Sequence, residues 1–200
     1  PGGYIWDFDK ASFRSVPMVS VVLSMKDSNG NTIEISSDKT FLAASSPIIS
    51  DDYSFGEMYD ATAEIPGWNL PGFDDSSWEN VTEVVSPGGE LKKCTARPIV
   101  EEREIKPVEI IECSDGYIYD FGQVNAGICR LKVKGTKGQK IEFQHVDVVE
   151  NGEISVESVW SMNAKQWDRD KEIIQKDVYI FKGEGEEVYV PSFVYHGFRY

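Results

Sequence analysis

The sequence predicts an all-β protein made of two β-sandwich or jelly-roll units, of which the first need not be complete. Two observations carry this prediction. Short β-branched or alternating stretches recur along the chain, and Gly, Pro, Asn and Asp turns separate them at regular intervals. The chain has 200 residues, 40% of them hydrophobic and 12% aromatic, which is enough for a buried core. We therefore expect sandwich architecture, with one short helical or loop insert.

The first predicted structure is a β-hairpin. The β-branched run Met18–Met25 is followed by the turn Asp27–Asn31, and apolar and polar residues then alternate over Thr32–Ser36. A short strand is expected next at residues 40–44. Residues 45–52 are expected to form a loop, because they combine a proline with Ser and Asp residues.

The stretch Phe55–Trp78 matches neither helical nor strand periodicity, so we expect an irregular segment. Asp74 or Asp75 is placed to cap a single helical turn. Trp68 is expected to be a packing anchor, as is Trp78, because burying roughly 200 Å² of an indole contributes about 5 kcal/mol before entropy is counted. Residues 81–85 resume strand character.

The second half of the chain is predicted to contain a succession of short strands. These strands are expected at Val108–Cys113, Tyr117–Phe121, Gly127–Val133, Lys140–Val146, Val178–Lys182 and Val188–Val190, with another from Phe198 onward. We place the domain boundary between residues 97 and 98, which gives units 1–97 and 98–200.

The interval Ser155–Gln175 fits no strand pattern. Trp160 and Trp167 lie seven residues apart, at near-helical spacing, so a short helix and a long functional loop both remain open. An indole face can stack on the apolar face of a sugar ring. Trp160 and Trp167 are therefore the predicted carbohydrate-binding residues.

Composition excludes several classes of function. A net charge of −14 disfavours nucleic acid, which needs a basic face, and fits neutral partners such as sugars. No run of about 18 apolar residues exists, so no membrane span is expected. The sequence contains no P-loop and no EF-hand, and we predict no cofactor.

Cysteines and histidines give no sign of a metal site. The three cysteines, Cys94, Cys113 and Cys129, are odd in number and lack C-x-x-C spacing, which indicates neither zinc nor a disulfide framework. His145 and His196 have no neighbouring ligand pattern, so no metal is predicted. No signal peptide is visible, and a reducing, cytoplasmic compartment is slightly favoured.

Acidic pairs are frequent, but none predicts catalysis. A glycosidase places two carboxyl groups on either side of the scissile bond. The pairs here include Asp51-Asp52, Glu57-Asp60, Asp74-Asp75, Glu101-Glu102 and Glu186-Glu187. Adjacent residues of a strand point to opposite faces, so most of these pairs cannot converge on one atom. No G-x-S-x-G elbow is present either, and we predict no catalytic residue.

Three ordered motifs resemble the bacterial α-L-rhamnosidases of glycoside hydrolase family 78. The first runs from G-E-M-Y-D-A at Gly56 through Gly67-Trp68 to F-D-D-S-S-W at Phe73. The second is Y-D-F-G-Q at Tyr119, and the third is P-S-F-V-Y-H-G-F-R-Y at Pro191. One departure is visible, since Val124 stands where the family has Asn, and Asn125 follows one place later.

This resemblance implies a multidomain inverting glycosidase with β-sandwich modules ahead of an (α/α)₆ catalytic barrel. Residues 1–97 would correspond to the later part of the N-terminal jelly roll, and residues 98–200 to the concanavalin-like domain. The implied partners are a rhamnose-containing glycoside or polysaccharide and the protein's own barrel, and this segment by itself is expected to be inactive. The alternative is a free-standing carbohydrate-binding module that uses Trp160 and Trp167.

Overall fold

A computed structural model describes residues 18–52, 55–86, 88–90, 92–156, 159 and 175–200. In these ranges the chain is built from β-strands and one short 3₁₀ turn, Ala61–Ala63, which confirms the all-β prediction. The strands are β1 Val22–Lys26, β2 Thr32–Ser36, β3 Leu42–Ala43, β4 Ile48–Asp52, β5 Gly56–Asp60, β6 Glu79–Asn80, β7 Glu109–Cys113, β8 Gly116–Asp120, β9 Asn125–Gly127, β10 Leu131–Lys134, β11 Lys140–Gln144, β12 Val148–Glu150, β13 Glu153–Ser155, β14 Lys176–Ile180, β15 Glu186–Tyr189 and β16 His196–Phe198.

The chain divides into two compact units. The larger unit contains Pro47–Glu64 together with Val100–Tyr200, and the smaller contains Ser15–Ser46 and Ile65–Ile99. Strands β4 and β5 thus belong to the same unit as the second half of the chain. The domain division at residues 97 and 98 stays a prediction.

The smaller unit contains the expected hairpin. Strands β1 and β2 pair antiparallel, with Leu23 opposite Ile35. The connecting turn is held by Asp27, whose carboxylate accepts hydrogen bonds from the backbone N–H groups of Asn29 and Asn31, both at 2.8 Å. A second, shorter antiparallel pair joins β3 to β6.

The main sheet of the larger unit has the strand order β11-β14-β5-β4. Strand β14 pairs antiparallel with β11 on one side and parallel with β5 on the other. A central strand is covered on both faces, and β14 accordingly has three consecutive buried residues, Asp177 to Tyr179.

Aromatic side chains form the core of the larger unit. Tyr179 stacks on Tyr189 with ring centroids 4.9 Å apart, and Tyr59 stacks on Tyr179 at 5.9 Å. Phe181 is 1% exposed and packs directly over Gly135, where an added Cβ would lie 2.5 Å from the ring. The core therefore joins strand β5 to strands β14 and β15.

The remaining ladders of the larger unit are two-stranded and antiparallel. They pair β7 with β8, β9 with β16, β10 with β15 and β12 with β13. In the β7–β8 hairpin, Ile118 is buried while Tyr117 and Tyr119 are exposed, as expected when alternate residues face opposite sides. These strands follow the predicted succession with two differences. The strand predicted at Gly127–Val133 is two strands, β9 and β10, separated by residues 128–130, and β12 and β13 were not predicted.

Three local predictions from the first half are wrong. Residues 48–52 form strand β4 instead of a loop, and residues 56–60 form strand β5 instead of an irregular segment. Both strands are stabilised by distant partners, which local composition cannot show. Conversely, residues 81–85 are irregular, since the ladder with β3 ends at Asn80.

The prediction that Trp68 and Trp78 are both buried packing anchors is not confirmed for either residue. Trp68 is 61% exposed, so its prediction as a buried anchor is wrong. It lies in a tight turn in which Leu70 N–H donates to the Gly67 carbonyl at 2.9 Å, and this leaves the indole on the outside. Trp78 is half-buried and packs against Phe73, with ring centroids 5.7 Å apart.

The turn predicted at Asp74 is present, but it is not helical. The Asp74 carboxylate accepts the backbone N–H of Ser76 at 3.1 Å, and Trp78 N–H donates to the Asp75 carbonyl at 2.9 Å. The predicted insert Ser155–Gln175 lies mostly outside the described residues. Within the described ranges, no helix has the length and apolar character that a membrane crossing requires.

Candidate functional site

Buried polar side chains of the larger unit converge around Asp177, in the centre of the main sheet. Asp177 is 0% exposed, and its neighbours His145, His196 and Glu57 are 2%, 1% and 1% exposed. A buried charge is costly unless hydrogen bonds compensate it, so the partners of each group decide what this site can do. We call these four residues the buried cluster.

Two donors reach one oxygen of the Asp177 carboxylate. The backbone N–H of Glu57 donates to Oδ1 at 2.9 Å, and His196 Nε2 lies 3.1 Å from the same oxygen. Strand β5 supplies the first donor and β16 the second. Asp177 therefore links three strands that are far apart in the sequence.

The two histidines of the cluster stack on each other, with ring centroids 4.2 Å apart. His145 Nδ1 lies 2.9 Å from the carbonyl oxygen of Gln175, which can only accept, so Nδ1 carries a proton. Burial, together with the neighbouring His196, lowers the pKa of His145 to about 4 despite the opposing effects of Asp177 and of the hydrogen bond to Gln175. His145 is therefore neutral at pH 7, with the lone pair on Nε2.

Several buried atoms of the cluster have no hydrogen-bond partner in the part of the chain that the structure describes. These atoms are His145 Nε2, Asp177 Oδ2 and His196 Nδ1. His145 Nε2 lies 4.0 Å from Asp177 Oδ2, too far for a direct hydrogen bond. Two acceptors thus face each other inside the protein.

Glu57 is the second buried carboxylate of the cluster, and both of its carboxylate oxygens accept hydrogen bonds. Oε1 accepts the Tyr189 hydroxyl at 2.8 Å, and Oε2 accepts the backbone N–H groups of Ser192 at 3.0 Å and Phe193 at 3.3 Å. Burial raises the pKa of Tyr189, and the charge of Glu57 raises it further, so the phenol stays a donor. Glu57 fixes the segment after β15 to strand β5.

Gly56 places Glu57 in this position. Its φ angle is +118°, and a Cβ at this residue would overlap the carbonyl oxygen of Lys176. The close approach allows Lys176 N–H to donate to the Phe55 carbonyl at 2.7 Å. Only glycine combines this backbone conformation with this contact.

A second polar link joins two of the family-like motifs. Arg199 donates through Nε to Asp120 Oδ1 at 2.9 Å and through Nη2 to Oδ2 at 2.8 Å, a bidentate ion pair. Gly122 N–H also donates to Asp120, at 2.6 Å. The Arg199 hydrogen bond is the main cause that lowers the pKa of Asp120 to about 2.

The geometry of the cluster is unsuited to glycoside hydrolysis. A general acid has to reach the glycosidic oxygen, and neither Glu57 nor Asp177 is accessible to a substrate. Of the predicted pair Glu186-Glu187, Glu186 is exposed, whereas Glu187 is 5% exposed and accepts the Tyr179 hydroxyl at 2.8 Å. These buried carboxylates stabilise the fold.

The residues predicted to bind carbohydrate, Trp160 and Trp167, lie outside the described residues, and their role stays a prediction. Asn125, which stands one place after the family's Asn, is described. Its Nδ2 donates to the Gln123 carbonyl at 2.6 Å, and its Oδ1 accepts from Gln123 Nε2 at 2.8 Å. The amide holds its own loop, and Val124 is 64% exposed.

Sequence reasoning missed the association of His145 with His196. Each histidine appeared alone, because their contact depends on the pairing of distant strands. A usable signal was the position of His145 at the end of an alternating strand, where it follows the inward face of Ile141 and Phe143. That pattern predicts burial, and a buried histidine needs a partner.

Comparison with known proteins identifies the two halves of the chain. Residues 4–103 match the family model described as the alpha-L-rhamnosidase N-terminal domain. Residues 112–200 match the bacterial alpha-L-rhamnosidase concanavalin-like domain. The motifs that resembled this family fall within these matches.

Individual relatives agree with the family models. An alpha-L-rhamnosidase of Streptomyces avermitilis is 32% identical over 206 residues, covering 100% of this chain but 19% of that protein. The solved structure of the Dictyoglumus thermophilum alpha-L-rhamnosidase is 36% identical, with a TM-score of 0.74, and covers 86% of this chain and 19% of the other. The Streptomyces avermitilis structure, complexed with L-rhamnose, is 32% identical, has a TM-score of 0.77, and covers 89% and 16%.

The chain thus spans about a fifth of the length of the curated relatives it matches. The two family models account for nearly all of its length, and the family-like motifs supply Glu57 and His196 of the buried cluster and both residues of the Asp120–Arg199 pair. The chain belongs to the bacterial α-L-rhamnosidase family.

Proposed function

We propose that this chain is the accessory β-sandwich region of an enzyme that hydrolyses terminal α-L-rhamnose from glycosides or polysaccharides. The observation that supports the proposal is the set of contacts that the family motifs make in the fold. Glu57, His196 and Arg199 all make buried or partly buried contacts that fasten strands together. The motifs therefore have a structural role here.

Catalysis would belong to a separate part of a longer protein. The family resemblance implies an (α/α)₆ barrel, and this chain corresponds to about a fifth of its relatives. The proposed role of the sandwich region is to support that barrel and to orient it toward the substrate. A rhamnose-containing substrate is supported by the relatives' names and by the relative solved with L-rhamnose.

The test compares this chain with the longer enzyme on an aryl α-L-rhamnoside. We expect turnover by the longer enzyme and none by the 200-residue chain, because the catalytic barrel that the family resemblance implies is not in this chain. An inactive variant of the longer enzyme, altered only in its barrel, provides the control. Comparable turnover by the 200-residue chain would refute the proposal.

A second arm tests the supporting role. The barrel region is produced alone and its thermal unfolding is measured with and without an equimolar amount of this chain. We expect a higher Tm in the mixture, since a partner that binds only the native state stabilises it. An unchanged Tm together with full activity of the barrel alone would show that the sandwich region supports nothing.

A further inference from the structure

The buried cluster has an arrangement that its hydrogen bonds do not explain. His145 Nε2 faces the Asp177 carboxylate, with 4.0 Å between Nε2 and Oδ2, and neither atom has a hydrogen-bond partner among the described residues. An enclosed polar atom without a hydrogen-bond partner costs free energy unless a bound species satisfies it. Both side chains are almost fully buried, so bulk solvent does not do so.

His196 completes a set of three metal-binding side chains. One ligand atom from each of His145, Asp177 and His196 lies within 4.8 Å of the others. Around a four-coordinate ion with ligands at 2.0–2.2 Å, ligand atoms are about 3.3–3.6 Å apart. His196 Nε2 lies 3.1 Å from Asp177 Oδ1 and His145 Nε2 lies 4.0 Å from Oδ2, which brackets this range. Coordination through His196 Nε2 requires that the proton it donates to Asp177 move to Nδ1, which has no hydrogen-bond partner among the described residues.

The surroundings of His145 favour the same chemistry. Its Nδ1–H donates to the Gln175 carbonyl, which fixes the ring and leaves Nε2 free to coordinate. Metal-binding histidines usually have such a second hydrogen bond to a backbone carbonyl or a carboxylate. Two imidazoles and a carboxylate form a ligand set that suits Zn²⁺ and other divalent transition metals.

We propose that His145, Asp177 and His196 bind one divalent transition-metal ion of the Zn²⁺ class, with a structural role. Because the site is enclosed, the ion would be taken up as the strands assemble, so its binding free energy would contribute to folding. Asp177 lies on strand β14 and His196 on strand β16, and His145 directly follows strand β11. This site is independent of the rhamnosidase activity proposed above.

The test measures transition metals in the 200-residue chain, produced without a histidine tag in zinc-supplemented medium and purified in chelator-free buffer. We expect about one metal ion per folded chain, as for a single structural site. In His145→Gln the content should fall at least tenfold. Asp115→Asn is the control, because Asp115 belongs to the exposed Cys113–Asp115–Glu153 group and not to the proposed site.

A spectroscopic arm keeps the test independent of mutant folding. The unmutated chain is refolded from denaturant with Co²⁺, and we expect visible d–d absorption that excess Zn²⁺ removes. A natively folded, unmutated chain with less than about a tenth of an ion would overturn the proposal, leaving the two acceptors to be bridged by water. A full ion content that persists in His145→Gln but is lost in Asp115→Asn would also overturn it.

Discussion

Replacing Glu57 tests whether the first family motif holds the fold. Glu57→Ala removes a carboxylate that accepts three hydrogen bonds, from the Tyr189 hydroxyl and the Ser192 and Phe193 amides. A buried donor without a partner costs about 1–3 kcal/mol. Three donors lose their acceptor, and the two amides among them are only partly buried. We therefore expect a total loss of unfolding free energy near the lower end of the summed range, about 3–5 kcal/mol.

That loss is large relative to the stability of a typical domain, about 5–15 kcal/mol. For a chain of this size each kcal/mol lowers Tm by about 2–4 °C, so we expect a decrease of at least about 6 °C. Glu57→Gln should cost less, since its amide oxygen can still accept the two N–H groups. The Tyr189 hydroxyl can then accept from the new amide.

The assay is urea unfolding followed by circular dichroism, with thermal unfolding in parallel. Glu150→Ala is the matched control, because Glu150 is an exposed strand residue in the same unit. We expect the order of stability to be control, then Glu57→Gln, then Glu57→Ala. A Glu57→Ala transition that coincides with the control would refute the role assigned to this carboxylate.

Three further predictions concern other parts of the chain. The pKa of Asp120 is lowered to about 2 from an ordinary 3.8, so the stability that its pair with Arg199 provides is present above pH 3.8 and is lost as the pH falls toward 2. In urea unfolding, the loss of stability caused by Asp120→Asn should therefore become smaller over that range. A loss that stays constant with pH would contradict this linkage. If Trp160 and Trp167 contact sugar, titration with L-rhamnose should change tryptophan fluorescence, and the change should disappear in the double alanine variant; unchanged fluorescence would remove the binding-module alternative. A fragment of residues 98–200 lacks strand β5 and should show no cooperative unfolding transition by circular dichroism, whereas a midpoint equal to that of the whole chain would show that β5 is dispensable.

Much of the fold could be predicted because turns are encoded locally. The Asp27–Asn31 turn carries its own hydrogen bonds, and the hairpin around it was predicted within a few residues. Alternation likewise identified most strands of the second half, but not the β12–β13 hairpin or the break between β9 and β10. Strand β5 could not be found in this way, because the polar residues of G-E-M-Y-D-A resembled a loop until their buried partners were known.

The buried cluster was hidden for the same reason. Glu57 and Asp177 are 120 residues apart in the sequence, and nothing near either residue indicates the other. The family resemblance marked Glu57 and His196 as parts of motifs but gave no contact between them. A single sequence encodes such contacts only through the whole set of strand pairings.

The parallel pairing of β5 with β14 has a consequence for biosynthesis. Strand β5 leaves the ribosome well before β14, since the paired backbone groups are about 120 residues apart. At a synthesis rate of about 5–20 residues per second, roughly 6–24 s pass between the synthesis of β5 and that of β14. During this time Tyr59 and Glu57 are not yet buried. Nascent chains are therefore most vulnerable to aggregation and proteolysis in this interval, and the emergence of β16, which carries His196, completes the described strands of the larger unit.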